Sequence, residues 1–325
     1  MNRLRNSARQ VSASLCARRG QFENRAAIWA AIFLAFLFTF DALALDLAKK
    51  STGKKTQPRA RPTPPPAAAV ELPPGEPDVK AQGAIVIDAL TGKTIFEKNS
   101  GQAFFPASTT KILTALLVIE AGDLDREVVV DADSAKVGES SLNLKVGERH
   151  TRRQMLFGMM LKSANDVAAA LACDNAGSIG AFAEKMTRRA QELGASGSHF
   201  MNPHGLHDPA HLTTPHDLAL IARAAMAQPY FRKVVATQNH SWTPGDGTGE
   251  SFLKNHNRLL WDFPGCTGVK TGYTSPAQQV LVSAALRNRR EVIGVVMHDD
   301  KPDNWEDSKL LLTYGFEHLP PARGE

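Results

Sequence analysis

A polar entrance opens the apolar stretch PASTTKILTALLVIE, residues 106–120. Its apolar side chains, interrupted by one threonine, predict a core helix from about residue 108 to residue 121. At the entrance, Ser108 stands three residues before Lys111, and residues at that spacing share one face of a helix. Ser108 is therefore either a helix cap beside a solvated lysine, or a nucleophile with a base held next to it.

The two interpretations differ in what they require of the lysine. A serine hydroxyl is a poor nucleophile until a neighbouring group takes its proton. Lysine takes that proton only where burial or nearby positive charge lowers its pKa. A catalytic Ser108 would thus need a second cation near Lys111, which the stretch itself does not provide.

A second polar interruption occurs in LKSANDVAAALA, residues 161–172, which separates two helical patterns. A hydroxyl at Ser163 could relay a proton, and the carboxamide of Asn165 could orient an amide substrate or hold Lys111. The alternative is a helix start, with Ser163 or Asn165 as cap and Asp166 favoured by the helix dipole. Both interpretations stay open for this segment alone.

A third segment, CTGVKTGYTSPA at residues 266–277, combines a glycine-rich turn with a strand pattern. Lys270 and the hydroxyl of Thr271 could bind a carboxylate, and Gly272 would let a substrate backbone approach the strand. The alternative is a turn followed by a solvent-facing strand.

The order of patterns along the chain predicts the fold class. A β-hairpin pattern comes first, at residues 84–99, helical patterns fill the middle, and strand patterns return before a closing helix. This order predicts an α/β fold of the α+β kind, in which both chain ends build one antiparallel sheet. Helices flank that sheet, and the inserted helical block leaves a cleft beside it.

Positive charge is concentrated before the globular part. Residues 1–80 carry 13 Lys+Arg against 6 Asp+Glu, whereas residues 81–325 carry 25 against 27. The globular part therefore lacks the charge of a nucleic-acid binder, and no nucleic-acid partner is expected.

The N-terminus has the composition of an export signal. Arginines precede an apolar run at residues 26–40, and an A-x-A site follows at residues 42–44. We predict a signal peptide or N-terminal anchor at residues 1–44, a proline-rich basic linker at 45–80, a globular domain at 81–320 and a tail at 321–325. The protein is then exported to the periplasm or the cell-wall side of the inner membrane, and contacts the membrane only through an uncleaved N-terminal segment.

Three histidines, His204, His207 and His211, have a spacing that could suit a metal. No thiolate or clear carboxylate set accompanies them, so we interpret this segment as a polar loop and predict neither a metal nor a cofactor.

The S-x-x-K, S-x-N and K-T-G segments occur in the order of the active-site motifs of penicillin-recognising serine enzymes. Together with FMNPHGLHDPAHLTTPHDLALIARA and NHNRLL, they make residues 83–318 similar to the serine D-alanyl-D-alanine carboxypeptidases, the low-molecular-mass penicillin-binding proteins of peptidase family S11. The resemblance implies a β-lactamase/transpeptidase-like fold. It also implies a peptidoglycan DD-carboxypeptidase that removes the terminal D-Ala of stem pentapeptides and is inhibited by β-lactams.

The resemblance assigns roles in acyl transfer. Ser108 would be acylated by the carbonyl of the penultimate D-Ala, with Lys111 as general base. Ser163 would relay a proton, and Asn165 would orient the substrate. Water would then hydrolyse the acyl-enzyme.

The resemblance also assigns roles in binding. Lys270 and Thr271 would hold the terminal carboxylate, and Gly272 would allow the substrate to lie against its strand. The backbone N–H groups of Ser108 and Tyr273 would form the oxyanion hole.

Two departures from the family pattern concern the strands after the third motif. The family commonly has Ala-Gly-x-Cys where this sequence has AQQV, residues 277–280. An arginine that helps to hold the carboxylate is also hard to place, because Glu291 stands at its expected position, with Arg290 adjacent.

Three other functions remain open. A class A β-lactamase would need an E-x-x-L-N loop, and nothing between Asn165 and Lys270 matches it. A DD-endopeptidase uses the same site, and we expect this chain to lack the C-terminal domain of many relatives. A non-catalytic wall-binding module would follow if the AQQV segment distorted its strand.

Overall fold

The structure of the chain is a computed structural model that describes residues 75–319 except Asp246 and Thr248. The predicted N-terminal segment 1–44, most of the predicted linker and the predicted tail lie outside the described residues. Within the described part, no helix has the length and apolar character needed to span a membrane.

The strands and helices of the described part follow one another in the predicted order. The strands are β1 (Gly83–Asp88), β2 (Thr94–Lys98), β3 (Glu127–Val129), β4 (Arg149–Thr151), β5 (Asn239–Trp242), β6 (Ser251–Lys254), β7 (Cys266–Thr274), β8 (Gln278–Arg287) and β9 (Arg290–Asp299). The α-helices are α1 (Lys111–Glu120), α2 (Arg152–Lys162), α3 (Asn165–Ala176), α4 (Ile179–Glu192), α5 (Pro215–Met226), α6 (Pro229–Ala236), α7 (Leu259–Asp262) and α8 (Asp303–Glu317).

One antiparallel sheet joins the first and last strands, in the order β2-β1-β9-β8-β7. Strand β1 lies between its hairpin partner and β9, with Gly83 paired to Met297 and Asp88 paired to Val292. Strand β7 forms the edge and pairs only with β8 in this sheet. The predicted fold class and the origin of the sheet at both chain ends are confirmed.

Both faces of the sheet are covered, which explains why its three inner strands, β1, β9 and β8, are buried at most positions. On one face, Ile85, Ile293 and Val295 pack against the helical block that contains α1 to α6. On the other face, Val86 and Val296 pack against α8. Alternate residues of one strand thus enter different cores, as the period of a β-strand requires.

The middle of the chain differs from the prediction in detail. The two helical patterns that residues 161–172 separate are α2 and α3. Helices α4 and α5 follow, with Ser178 and Thr214 as their N-caps. The prediction did not include α6, the β5–β6 hairpin or the short helix α7.

Candidate active site

Ser108 lies in a 3-10 turn, Ala107–Thr110, and the α-helix begins only at Lys111. The prediction of a helix from about residue 108 was therefore wrong for its first turn. Among the described residues the Ser108 hydroxyl caps no helix, since neither this turn nor α1 has a side-chain cap. The turn begins at Ala107, whose φ of 47° lies in the left-handed region. Ser108 is partly exposed at its tip.

A chain of hydrogen bonds from a distant loop holds this turn. The backbone N–H of Met201 donates to His211 Nδ1 over 3.0 Å, and His211 Nε2 lies 2.8 Å from Thr110 Oγ1. Thr110 Oγ1 in turn donates to the carbonyl of Ala107 over 2.8 Å. Burial lowers the pKa of His211 to about 4, so its ring is neutral and Nε2 donates to Thr110.

The same loop contacts the turn at Gly205. A Cβ atom on Gly205 would lie 1.8 Å from the carbonyl oxygen of Ala107, and the φ of Gly205 is +86°. Only glycine fits both the conformation and the space at this position.

Lys111 is fully buried and its ammonium group has three neighbours. Its Nζ lies 3.1 Å from Ser108 Oγ, 2.7 Å from Asn165 Oδ1 and 2.6 Å from the carbonyl oxygen of His204. The lysine and the serine predicted to form a pair are thus in hydrogen-bond contact. The Lys111 side chain is not on a solvated face, which excludes that alternative.

The pKa of Lys111 lies well below its usual range. Burial is the main cause, and the charge of Lys270 is the second, opposed by Asp166 and Glu139. The second cation that a catalytic lysine would need is present, although desolvation contributes more. A neutral amine beside a serine hydroxyl can accept its proton.

Asn165 and Ser163 lie at the junction of α2 and α3. Asn165 Nδ2 donates to the carbonyl of Gly138 over 3.0 Å, which turns its Oδ1 towards Lys111. Ser163 is buried and has a left-handed φ of 64°, and its side chain makes no hydrogen bond within the described residues. Neither residue caps α3, whose N-cap is Ala164 without a side-chain bond.

Strand β7 runs directly against the turn that contains Ser108. A Cβ atom on Gly272 would lie 3.0 Å from the backbone nitrogen of Ser108 and 3.1 Å from the carbonyl oxygen of Pro106. Lys270 is buried on this strand and donates to the carbonyl of Thr271 over 2.9 Å. Tyr273 is 55% exposed at the edge of the cleft. The third segment is therefore not a solvent-facing strand around Lys270.

Burial lowers the pKa of Lys270 to about 7. Among the described residues, its ammonium donates only to a backbone carbonyl and forms no ion pair, so a ligand carboxylate in the cleft could neutralise its charge. His256 lies in the same electrostatic field, since burial and then Lys270 and Lys162 lower its pKa to about 4.

The expectation that Glu291 stands at the position of a carboxylate-binding arginine was wrong. Glu291 pairs with Leu286 of β8, whereas Lys270 pairs with Val282, so Glu291 lies four register positions from Lys270. There it binds the guanidinium of Arg232, with Oε2 2.7 Å from Arg232 Nη1.

The AQQV segment leaves the pairing of β8 with β7 regular, although the pairing of β8 with β9 shifts register between Gln279 and Leu281. Gln278 begins β8, adopts a left-handed φ of 55° and donates from Nε2 to the carbonyl of Ser275 over 2.6 Å. Gln279 pairs with Tyr273 in regular register. Gln278 thus takes the conformation for which the usual family pattern has glycine.

Sequence reasoning missed the carbonyl of His204, because a backbone acceptor leaves no mark on residue type. The predicted loop is confirmed, since residues 201–211 form neither a helix nor a strand. Two of its histidines, His204 and His211, are buried rather than solvated. Their ring nitrogens accept hydrogen bonds from the N–H groups of Leu206 and Met201. Within residues 75–319 as described, no group of three His, Cys, Asp or Glu side chains could hold a metal ion.

Comparisons with known proteins agree with this geometry. The sequence model of the D-alanyl-D-alanine carboxypeptidase family matches residues 70–301. The D-alanyl-D-alanine carboxypeptidase DacB2 of Mycobacterium tuberculosis is 36% identical over 252 residues, which cover 76% of this chain and 86% of the relative. DacF of Bacillus subtilis is 35% identical, and the match covers 71% of this chain but 61% of the relative.

A solved structure has the same fold. The crystal structure of the Streptomyces K15 DD-transpeptidase superimposes with a TM-score of 0.70 at 33% identity, and covers 74% of this chain and 99% of that chain. The family and the enzyme class predicted from the sequence are confirmed by these matches. The chain belongs to the D-alanyl-D-alanine carboxypeptidase family of serine peptidases.

Proposed function

We propose that this chain removes the terminal D-Ala from peptidoglycan stem pentapeptides through an acyl-enzyme on Ser108. The observation that carries the proposal is the position of Lys111, buried without an ionic partner and 3.1 Å from Ser108 Oγ. A neutral lysine would donate its two hydrogens to Asn165 Oδ1 and to the carbonyl of His204, which are the two shorter contacts. Its lone pair would then face the serine hydroxyl.

In the acylation step, Ser108 Oγ attacks the carbonyl carbon of the penultimate D-Ala, and Lys111 takes the hydroxyl proton. The amide C–N bond breaks as the ester forms, and the proton passes through Ser163 to the departing amine of D-Ala. Water then attacks the ester, which gives the shortened peptide and restores the proton to Ser108. A β-lactam would acylate the same oxygen as a substrate mimic.

The terminal carboxylate would bind Lys270 and Thr271 on β7. Such a ligand favours the charged form of Lys270, whose pKa in the free protein is about 7, so binding and protonation strengthen each other. A Cβ atom on Gly272 would lie 3.0 Å from the Ser108 nitrogen, and this closeness of β7 to the turn supports an oxyanion hole formed by the N–H groups of Ser108 and Tyr273.

The site of action follows from the N-terminal sequence. The arginine-rich start and the apolar run at residues 26–40 support export to the periplasm or the cell-wall side of the inner membrane. Peptidoglycan stem peptides and β-lactams are the partners in this proposal. An uncleaved signal would hold the protein at the membrane.

Labelling with a fluorescent penicillin tests the nucleophile. The wild-type chain should become labelled, and Ser108→Ala should not, while circular dichroism of the variant stays unchanged. Label on Ser108→Ala equal to wild type would refute the proposed acyl-enzyme. Rapid turnover of the penicillin, with release of label, would instead favour a β-lactamase.

Digestion of purified peptidoglycan tests the bond that is cut. Mass spectrometry should show loss of a single D-Ala from pentapeptides, with cross-linked dimers unchanged. Conversion of dimers to monomers without loss of D-Ala would favour the DD-endopeptidase alternative.

A further inference from the structure

A second groove lies at the end of the sheet where the β1–β2 and β8–β9 turns meet. Its volume is about 1030 Å³, and the C-terminal part of α5 forms one wall. Apolar side chains line it, among them Leu193, Leu220 and Met226. We call it the turn groove. None of the residues assigned above to acyl transfer or carboxylate binding lines it.

The turn groove carries an excess of positive charge. Five basic residues line it against two acidic ones, Asp88 and Glu291, although residues 81–325 are close to neutral overall. Two of the basic residues have protein partners: Arg232 binds Glu291, and Arg223 donates to the carbonyls of Ala89 and Leu90.

The other three cations, Lys93, Arg289 and Arg290, have no such partner. Within the described residues their side chains make no ion pair or hydrogen bond. Arg289 and Arg290 belong to the tight β8–β9 turn, and Lys93 to the neighbouring β1–β2 turn. Unpaired guanidinium groups that share one groove form a strong site for phosphate, which they can bind with two hydrogen bonds each.

A large apolar side chain is held in solvent beside these cations. Leu90 is 84% exposed at the tip of the β1–β2 turn, and Leu286 is 40% exposed on the same groove. The tip is fixed, because Leu90 N–H donates to Asp88 Oδ1 over 2.8 Å and its carbonyl accepts from Arg223 over 2.7 Å. A fixed turn that exposes a leucine beside cations is suited to a membrane surface, where charged headgroups cover an apolar layer of acyl chains.

We propose that the turn groove binds the phosphate headgroup of an anionic phospholipid, with Leu90 inserted among the acyl chains. A free anion in solution would use the cations but would leave Leu90 in water, so the lipid accounts for both features. The proposal adds a membrane contact made by the folded domain itself, and it does not depend on the activity proposed above.

Vesicle sedimentation of the full chain tests this. The probes are phosphatidylglycerol vesicles and phosphatidylcholine vesicles. The groove variant is Lys93→Gln with Arg289→Gln and Arg290→Gln. Its control removes the same charge from exposed positions outside the groove, Lys136, Arg188 and Lys233, each to Gln. The N-terminal apolar run is common to all variants, so its own lipid binding cancels in the comparison.

We expect the groove variant to lose about 100-fold in affinity for phosphatidylglycerol, because each cation near an anionic surface contributes about fivefold. The charge-control variant should lose far less affinity for phosphatidylglycerol vesicles. Leu90→Ser should weaken binding, whereas Val146→Ser, at a position 65% exposed elsewhere, should not. Hydrolysis of a soluble D-Ala-D-Ala peptide should be unchanged in every variant, which shows that each is folded.

Three results would overturn the proposal. The first is an equal loss of affinity for phosphatidylglycerol vesicles in the groove variant and in the charge-control variant. The second is wild-type binding to phosphatidylcholine as strong as to phosphatidylglycerol. The third is displacement from vesicles by inorganic phosphate at an ionic strength where sodium chloride has no effect, which would identify a site for a free anion.

Discussion

Lys270 lies close enough to Lys111 for its charge to lower the pKa of Lys111, and both side chains are fully buried. Within the described residues, neither ammonium group forms an ion pair with a carboxylate. Two buried lysines without counter-ions are unfavourable for stability, and such an arrangement is expected where function requires it. The charge of Lys270 adds to burial in favouring the neutral form of Lys111, and burial alone lowers the pKa of Lys270.

Acylation by a penicillin should slow as the pH rises through about 7. Lys270 has a pKa of about 7 in the free protein, and only its charged form attracts the carboxylate of the ligand. The second-order rate constant of acylation, measured from pH 5 to pH 9, should therefore fall up to tenfold per pH unit on the alkaline side. The Lys270→Arg variant keeps its charge at every pH and should lose this alkaline limb. If the rate constant of that variant still fell above pH 7, the decrease would come from the ionisation of a group other than Lys270.

Replacing Lys270 by Met should raise the free energy of unfolding while abolishing carboxylate binding. In wild type the pKa of Lys270 falls from 10.5 to about 7 on folding, so between these values the unfolded state binds the extra proton. Stability contributed by this site therefore rises with pH from 7 to 10. We expect Lys270→Met to gain about 1–4 kcal/mol at pH 7 and less at pH 10, measured by urea unfolding. A larger gain at pH 10 would contradict the assignment.

Asn165 should affect the rate of acylation through its hydrogen bond with Lys111. Asn165→Ala removes the acceptor 2.7 Å from Lys111 Nζ, and acylation should slow by about a hundredfold because the base loses its position. Asn165→Asp keeps an acceptor but adds a negative charge, which raises the pKa of Lys111 and leaves it protonated at neutral pH. Relative to wild type at the same pH, the Asp variant should therefore recover as the pH rises, and the Ala variant should not. Equal pH profiles for the two would show that Asn165 does not act through Lys111.

Gly205→Ala should displace the turn that carries Ser108. The new Cβ would meet the carbonyl oxygen of Ala107 at 1.8 Å, so we expect a loss of more than about 3 kcal/mol in stability and a large loss of penicillin labelling. Gly147 is a matched control, with a φ of +84° and nothing within 4 Å of an added Cβ. Gly147→Ala should cost about 1–2 kcal/mol from backbone strain alone and leave labelling intact.

The motifs allowed much of the site to be predicted because each leaves a side chain with a chemical signature. Ser108, Lys111 and Asn165 are in contact, and Lys270 acts on Lys111 from β7. The carbonyl of His204 could not be predicted, since any residue supplies a carbonyl and only tertiary packing brings it to Lys111. The structure shows these contacts, and the chemical roles assigned to the site residues stay predictions: Ser108, Lys111, Ser163, Asn165, Lys270, Thr271, Gly272 and Tyr273.

The error at Glu291 has a physical cause. The antiparallel pairing of β7, β8 and β9 places Val295 in line with Lys270 through Val282, whereas Glu291 lies four residues away along β9. This alignment depends on where each turn ends and each register begins, which the sequence spacing alone does not give. The sheet order was predictable because strand patterns lay at both ends of the globular part. The small elements α6 and β5–β6 were not, because runs of four to eight residues are too short to show which structure they form.

The position of β1 in the sheet has a consequence for the timing of folding. Its partners are β2, a few residues away, and β9, near the other end of the described chain. A chain that emerges from its N-terminus first can form only the β1–β2 hairpin, and one edge of β1 stays unpaired until β9 arrives. Contacts of such long sequence separation form slowly. Strand β7, which completes the surroundings of Ser108, is also made late. An unfinished chain therefore has no assembled site, and it cannot be acylated before its last strands are in place.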